Sequence, residues 1–107
     1  MGEWIDVLQQ CVGFEWDKGN RLKSWLKHHV TEGEAEQVFF NEPLLLLEDQ
    51  EHSAQENRFW ALGHTDEERL LFITFTIRKN LIRVISARNM NKKEKESYEK
   101  FKTNPQI

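Results

Sequence analysis

At 107 residues, with 38% hydrophobic and 31% charged side chains, the chain is expected to form one domain over residues 1–107 whose small core leans on a partner for part of its stability. A single cysteine, Cys11, rules out an intramolecular disulfide. Met1 to Asp6 lack a basic leader, and no stretch nears the ~20 apolar residues of a membrane span, so the expectation is a cytoplasmic protein with no membrane partner. The formal charge of −3 hides a split: residues 1–68 hold 5 Lys or Arg against 15 Asp or Glu, whereas residues 69–107 hold 10 against 3. No acid lies between Arg69 and Lys93. That is the footprint of a phosphate or nucleic-acid contact, or equally of a solvated basic surface neutralised by the acidic part of the chain.

In chain order, Trp4, Ile5, Leu8 and Val12 suggest a short amphipathic helix or docking arm. Phe14-Glu15-Trp16 alternates like a strand and runs into the turn and cap formers Asp17-Lys18-Gly19-Asn20. Leu22, Trp25, Leu26 and His29 follow i, i+3, i+4, i+7 spacing, which predicts a helix over residues 20–29 with Asn20 as its cap. Thr31-Glu32-Gly33-Glu34 has the form of a capping box, with Ala35, Val38 and Phe39 as the apolar face of a second helix ending before Pro43. Leu44 to Leu47 reads as a buried strand, and Asp49 to Gln55 as a polar loop. Strands over Arg58–His64, Leu70–Ile77 and Leu81–Ala87 are joined by short turns, and a charged helix over Asn91–Lys102 is anchored by Tyr98 and Phe101. The order predicts an α+β fold: a mostly antiparallel sheet of four to five strands, two N-terminal helices and a C-terminal helix, with the helices on one face.

Several short motifs occur in an order that is specific although each is weak. They are Phe14-Glu15-Trp16-Asp17, Lys27-His28 followed by Val30, Glu34-Ala35, Phe40-Asn41-Glu42-Pro43, Glu51-His52-Ser53, Asn57-Arg58-Phe59, Gly63, and Arg83-Val84-Ile85-Ser86-Ala87-Arg88 ahead of a basic helix carrying Tyr98. Over residues 14–101 the chain thereby resembles the BrnT family of type II toxins, with residues 1–13 as an N-terminal extension. The resemblance implies a RelE-like fold and a growth-inhibiting ribonuclease. It further implies neutralisation by a BrnA-type antitoxin with a ribbon-helix-helix domain, through which alone operator DNA is met. A homo-oligomer and a heterotetramer are both open as the assembly. Position 29 is His where the family commonly has Gly, at a helix end where Gly readily supplies the left-handed conformation.

Cleaving RNA without a metal takes a base for the 2′-hydroxyl, cations on the phosphate and an acid for the leaving oxygen. Arginine suits the phosphate because its planar fork binds two oxygens and stays charged. Arg83 and Arg88 flank an otherwise apolar strand and are the first candidates, although their parity differs, so they share a face only across a bulge. Arg58, Lys27 and His64 complete the candidate catalytic set; His64 carries an imidazole, the side chain suited to either proton role, but stands about 20 Å along the strand from Arg58. Arg78, Lys79, Lys92, Lys93 and Tyr98 are candidate RNA contacts, with ion pairing the plainer reading for Arg78 and a core anchor an equal one for Tyr98. Trp16 and Trp25 are read as core, while Trp60 fits either a core or a stacking platform. Neither HxxxH nor CxxC spacing occurs, so no metal site and no cofactor are expected. The alternative function is a non-catalytic interaction module, a decayed toxin that keeps only its antitoxin-like partner.

Overall fold

A computed structural model describes residues 8–52 and 56–103. The elements are β1 (Gly13–Trp16), α1 (Lys18–His28), α2 (Glu32–Val38), β2 (Leu45–Asp49), a 3-10 turn (Gln50–His52), β3 (Arg58–His64), β4 (Leu70–Arg78), β5 (Leu81–Asn89) and α3 (Lys92–Thr103). Of the residues expected to form an N-terminal helix or arm, Trp4 and Ile5 lie outside the described residues, whereas Leu8 packs against the core and Val12 is exposed.

The five strands form one sheet in the order β1-β5-β4-β3-β2. It is a mixed sheet, which corrects the mostly antiparallel one expected: β1 runs parallel to β5, with Gly13 opposite Leu81 and Trp16 opposite Val84. The chain leaves β1 directly into α1, so no hairpin constrains β1 to oppose its neighbour. β2, β3, β4 and β5 pair antiparallel in succession. Lys79 and Asn80 close the β4–β5 hairpin with φ of 55° and 62°, the two positive values a tight two-residue turn requires.

The helices divide between the two faces of the sheet, a second correction. On one face Val30, Ala35 and Val38 pack against Phe59, Ala61, Leu71, Ile73, Phe75, Ile82, Val84 and Ala87. On the other, Tyr98 and Phe101 of α3 pack with Leu62, Met90, Trp60, Leu70 and Phe72. Covering both faces explains why β4 carries apolar residues on both sides, Leu70 and Phe72 on one and Leu71, Ile73 and Phe75 on the other. Gly63 is required where α2 crosses β3, since a Cβ there would stand 2.8 Å from Val38 Cγ1.

Three local expectations change as well. α1 begins at Lys18 because Asp17, not Asn20, is its cap: the Asp17 carboxylate accepts from the Gly19 N–H at 2.7 Å. Its apolar stripe faces outward, leaving Leu22, Trp25 and Leu26 exposed, while Ser24 is the residue pressed on β5. Trp25 is therefore not a core residue; Trp16 is half-buried and donates Nε1–H to Glu36 at 2.9 Å. β2 is an edge strand rather than a buried one, with Leu47 and Glu48 exposed. At the end of α1, His29 does adopt the left-handed conformation, with φ 54° and ψ 42°.

Candidate active site

The α3 face of the sheet is covered only in part, and the uncovered part is a cleft of about 720 Å³. Its floor is built by alternation: Arg58, Trp60 and Leu62 from β3, and Phe72 and Thr74 from β4, point to one side because successive strand residues alternate. Ile85, Ser86 and Arg88 add the β5 side, α3 supplies Lys93, Glu94 and Ser97, and α1 reaches in with Asn20 and Lys23.

Arg88 reaches this cleft because β5 carries a bulge. Thr74 pairs with Ser86 and Phe75 with Val84, so Ile85 is the extra residue. That insertion resolves the parity conflict and puts Arg83 and Arg88 on the same face. Ser24 Oγ accepts the Ala87 N–H just beyond the bulge at 3.2 Å, tying β5 to α1.

Arg88 is held on three sides. Its guanidinium lies 4.3 Å from the centre of the Phe72 ring. Nη1 and Nη2 donate in parallel to the two Glu94 carboxylate oxygens at 2.9 and 2.8 Å, and Nη1 also donates to the Asn89 carbonyl. Glu94 is placed by a capping box in which its carboxylate accepts from the Asn91 N–H and its own N–H donates to Asn91 Oδ1. Burial would raise the Glu94 pKa, but the Arg88 and Asn91 bonds and the Arg88 charge outweigh it, so the carboxyl is held below its ordinary range. Phe72 also stacks at a tilt on Trp60, ring centres 5.7 Å apart, which makes an aromatic floor beneath the cations.

Of the residues expected at the site, Arg58, Arg88 and Lys93 line this cleft. Arg58 stands opposite Thr76, and Thr76 opposite Arg83, so all three share a face. Arg83 nevertheless turns to the β1 edge, where it lies 3.5 Å from Glu15 and 3.3 Å from Asp17. Lys27 is exposed on α1 outside the lining. Arg78 pairs with Glu56 at 2.9 Å, Lys79 sits in the hairpin turn, and Lys92 is exposed at the start of α3.

His64 belongs to a separate, smaller pocket with Glu42, Glu68 and Tyr98, and its two ring nitrogens face the carbonyls of Thr65 and Glu42 at 3.0 Å. Tyr98 is fully buried and donates its hydroxyl to the Pro43 carbonyl, and burial, with Glu99 adding, pushes its pKa up to about 12. A ring so enclosed has no face to offer a base, which corrects its expected place at RNA. Nearer the cleft is His28, whose pKa is lowered by burial and by the positive charges of Arg88, Lys27 and Lys23. Asn20, Lys23 and Glu94 were not among the expected residues. Asn91-x-x-Glu94 has the spacing of a helix-start box and was the available signal for Glu94; nothing in the periodicity of α1 marks Lys23.

Among the described residues no group of three or more His, Cys, Asp or Glu side chains is placed to hold a metal ion. Nor is any described helix long and apolar enough to cross a membrane. No curated protein sequence matches the chain. The crystal structure of the Brucella abortus ribonuclease toxin, BrnT, is similar in fold, with a TM-score of 0.57 at 17% identity over 76% of this chain and 99% of that one. Residues 16–94 match the family described as ribonuclease toxin, BrnT, of type II toxin-antitoxin system. That span runs from the end of β1 to Glu94 beside Arg88, and the chain belongs to the BrnT family of ribonuclease toxins of type II toxin-antitoxin systems.

Proposed function

We propose that the chain cleaves single-stranded RNA without a metal ion, in the cleft between α3 and the sheet. The observation that carries this reading is the convergence of Arg58, Arg88, Lys23 and Lys93 over the Trp60–Phe72 floor, with two carboxylates in the lining, Glu94 bonded to Arg88 and Asp49 opposite Arg58. Arg88 grips the phosphate, Lys23 and Lys93 add charge above it, and a nucleobase stacks on Trp60. Glu94, kept ionised by its partners, takes the 2′-hydroxyl proton. The 2′-oxygen then attacks phosphorus, the bond to the 5′-oxygen breaks, and that oxygen takes up a proton from solvent water, giving a 2′,3′-cyclic phosphate and a free 5′-hydroxyl. The protein acts in the cytoplasm. Its antitoxin is of the BrnA type, with a ribbon-helix-helix domain that carries the operator contact in a heterotetramer.

The test is RNA cleavage by the purified chain, freed of its partner, with EDTA present. Arg88→Ala is expected to lower the rate by about 100-fold or more, the size seen when a preorganised charge donor is removed. Glu94→Gln is expected to lower kcat by at least about 100-fold while RNA binds as tightly or more tightly, since Arg88 is released. Wild-type inactivity on every RNA would support the competing reading of a non-catalytic interaction module. What favours that second reading is that the Arg88 fork is already filled by Glu94. Growth arrest on induction, with and without the partner gene, separates the two.

A further inference from the structure

The outer face of α1 is apolar where nothing in the described fold covers it. Leu22, Trp25 and Leu26 are 57%, 47% and 65% exposed. They form one stripe because residues three and four apart stack on a helix. The stripe points outward because the opposite side of α1 is committed to the sheet through Ser24, which is 3% exposed and bonded to the Ala87 N–H. Beside it lies a groove of about 590 Å³ between α1 and the start of α2, lined by Val30 and Gly33 and by one cation and one anion, Lys18 and Glu32. The Trp25 ring rests edge-on against His29 at 5.1 Å, and the His29 carbonyl is bound by Arg69 at 2.9 Å. The stripe is thus held in place before anything binds.

Charge decides what fits. Residues 18–28 carry four Lys or Arg and no Asp or Glu; Lys18 lines the groove beside the stripe, while Lys23 and Lys27 are exposed elsewhere on the helix, Lys23 in the cleft. A second copy of α1 would bring these cations against their own kind. RNA would meet the phosphate-attracting rim but would have to cover leucine side chains that offer it neither stacking nor hydrogen bonds. A protein helix with an apolar stripe and flanking carboxylates satisfies both features.

We propose that the outer face of α1 is the docking site for an amphipathic, acid-flanked helix of the antitoxin. The proposal rests on the chain's membership of a toxin-antitoxin family. Because Asn20 and Lys23 of the same helix line the cleft, a segment docked on α1 ends beside the mouth of the active site and can cover it.

The probe is the protein encoded by the reading frame next to the toxin gene, titrated against the full-length chain. Leu22→Asp/Leu26→Asp is expected to leave helicity and RNA cleavage unchanged, to weaken antitoxin binding by at least about 100-fold, and to abolish rescue of growth. Lys18→Glu, a milder change at the rim, is expected to weaken binding by about 10-fold, more at low salt than at high. Arg88→Ala is expected to keep antitoxin binding while losing cleavage, so failure of the ribonuclease reading and failure of this one are separately visible. Binding by both α1 variants within about 3-fold of wild type overturns the proposal. So does a wild-type toxin that dimerises alone and is made monomeric by Leu22→Asp/Leu26→Asp, for then the face belongs to a second copy.

Discussion

Arg88 shows how much one side chain is asked to do in this cleft. Its fork lies along both oxygens of Glu94 and its face lies on Phe72, so its planarity as well as its charge is in use. Lysine has the charge without the fork or the flat face. Arg88→Lys is therefore expected to lose at least about 10-fold in RNA cleavage, measured as kcat/KM, and near-wild-type activity would show that charge alone suffices. Arg69 does different work. It donates to the carbonyls of His28 and His29, to Asn89 and to both oxygens of Glu34, tying the end of α1 to α2 and β5. Burial raises the Glu34 pKa, but the Thr31 N–H and the Arg69 guanidinium outweigh it and hold the carboxyl below 4.5. A depressed folded pKa adds stability that is complete above the unfolded value and is lost as pH falls through the folded one. Thermal stability is thus expected to hold down to about pH 5 and to fall below about 4.5, with a shallower fall in Glu34→Gln. An unchanged acid limb in that variant would remove Glu34 from the account.

Elements were legible in the sequence where a local rule had no rival. The capping box Thr31–Glu34 is present with both bonds, since its four residues satisfy each other without help from elsewhere. Strands β3, β4 and β5 follow their runs because alternation, β-branched residues and a two-residue turn agree. What was not legible depends on partners distant in sequence. The spacing of Leu22, Trp25 and Leu26 defines a face but not which way it points, and a serine bonded to Ala87 settles that. Parity put Arg83 and Arg88 on opposite faces until a bulge at Ile85, which no residue announces, gave them one face, although Arg83 turns to the β1 edge. The parallel pairing of β1 with β5 joins segments more than sixty residues apart in the chain. Gly63 is the reverse case, a motif residue whose reason appears only in packing. Gly63→Ala is expected to cost ~1–3 kcal/mol by overpacking against Val38. That would lower Tm by roughly 4–8 °C for each kcal/mol in a domain of this size, and a variant melting with wild type would show that α2 yields freely.

At the scale of the whole molecule the charge split proves less one-sided than composition suggests. Seven Lys or Arg residues lie between Arg69 and Lys93, and if all met phosphate they would form a broad basic face. The fold spends several of them internally. Arg69 pairs with Glu34, Arg78 with Glu56, Arg83 with Glu15 and Asp17, and in each case the acid comes from residues 1–68. The acidic part of the chain thus neutralises Arg69, Arg78 and Arg83, and the proposed phosphate site draws on other residues. The cleft draws its cations from across the chain: Lys23 of α1, Arg58 of β3, Arg88 of β5 and Lys93 of α3. Counterion release makes the two pictures measurable, because the logarithm of the binding constant falls with the logarithm of salt by about 0.7 for each phosphate neutralised on a single strand. Four cleft cations predict a slope of about −3 for a short single-stranded RNA, whereas all seven basic residues of 69–93 would give about −5. Measured on Glu94→Gln, so that cleavage does not intervene, a slope near −3 that Lys23→Ala reduces by about 0.7 supports the cleft. A slope near −5 that Lys23→Ala leaves unchanged would place RNA on the outer basic surface instead.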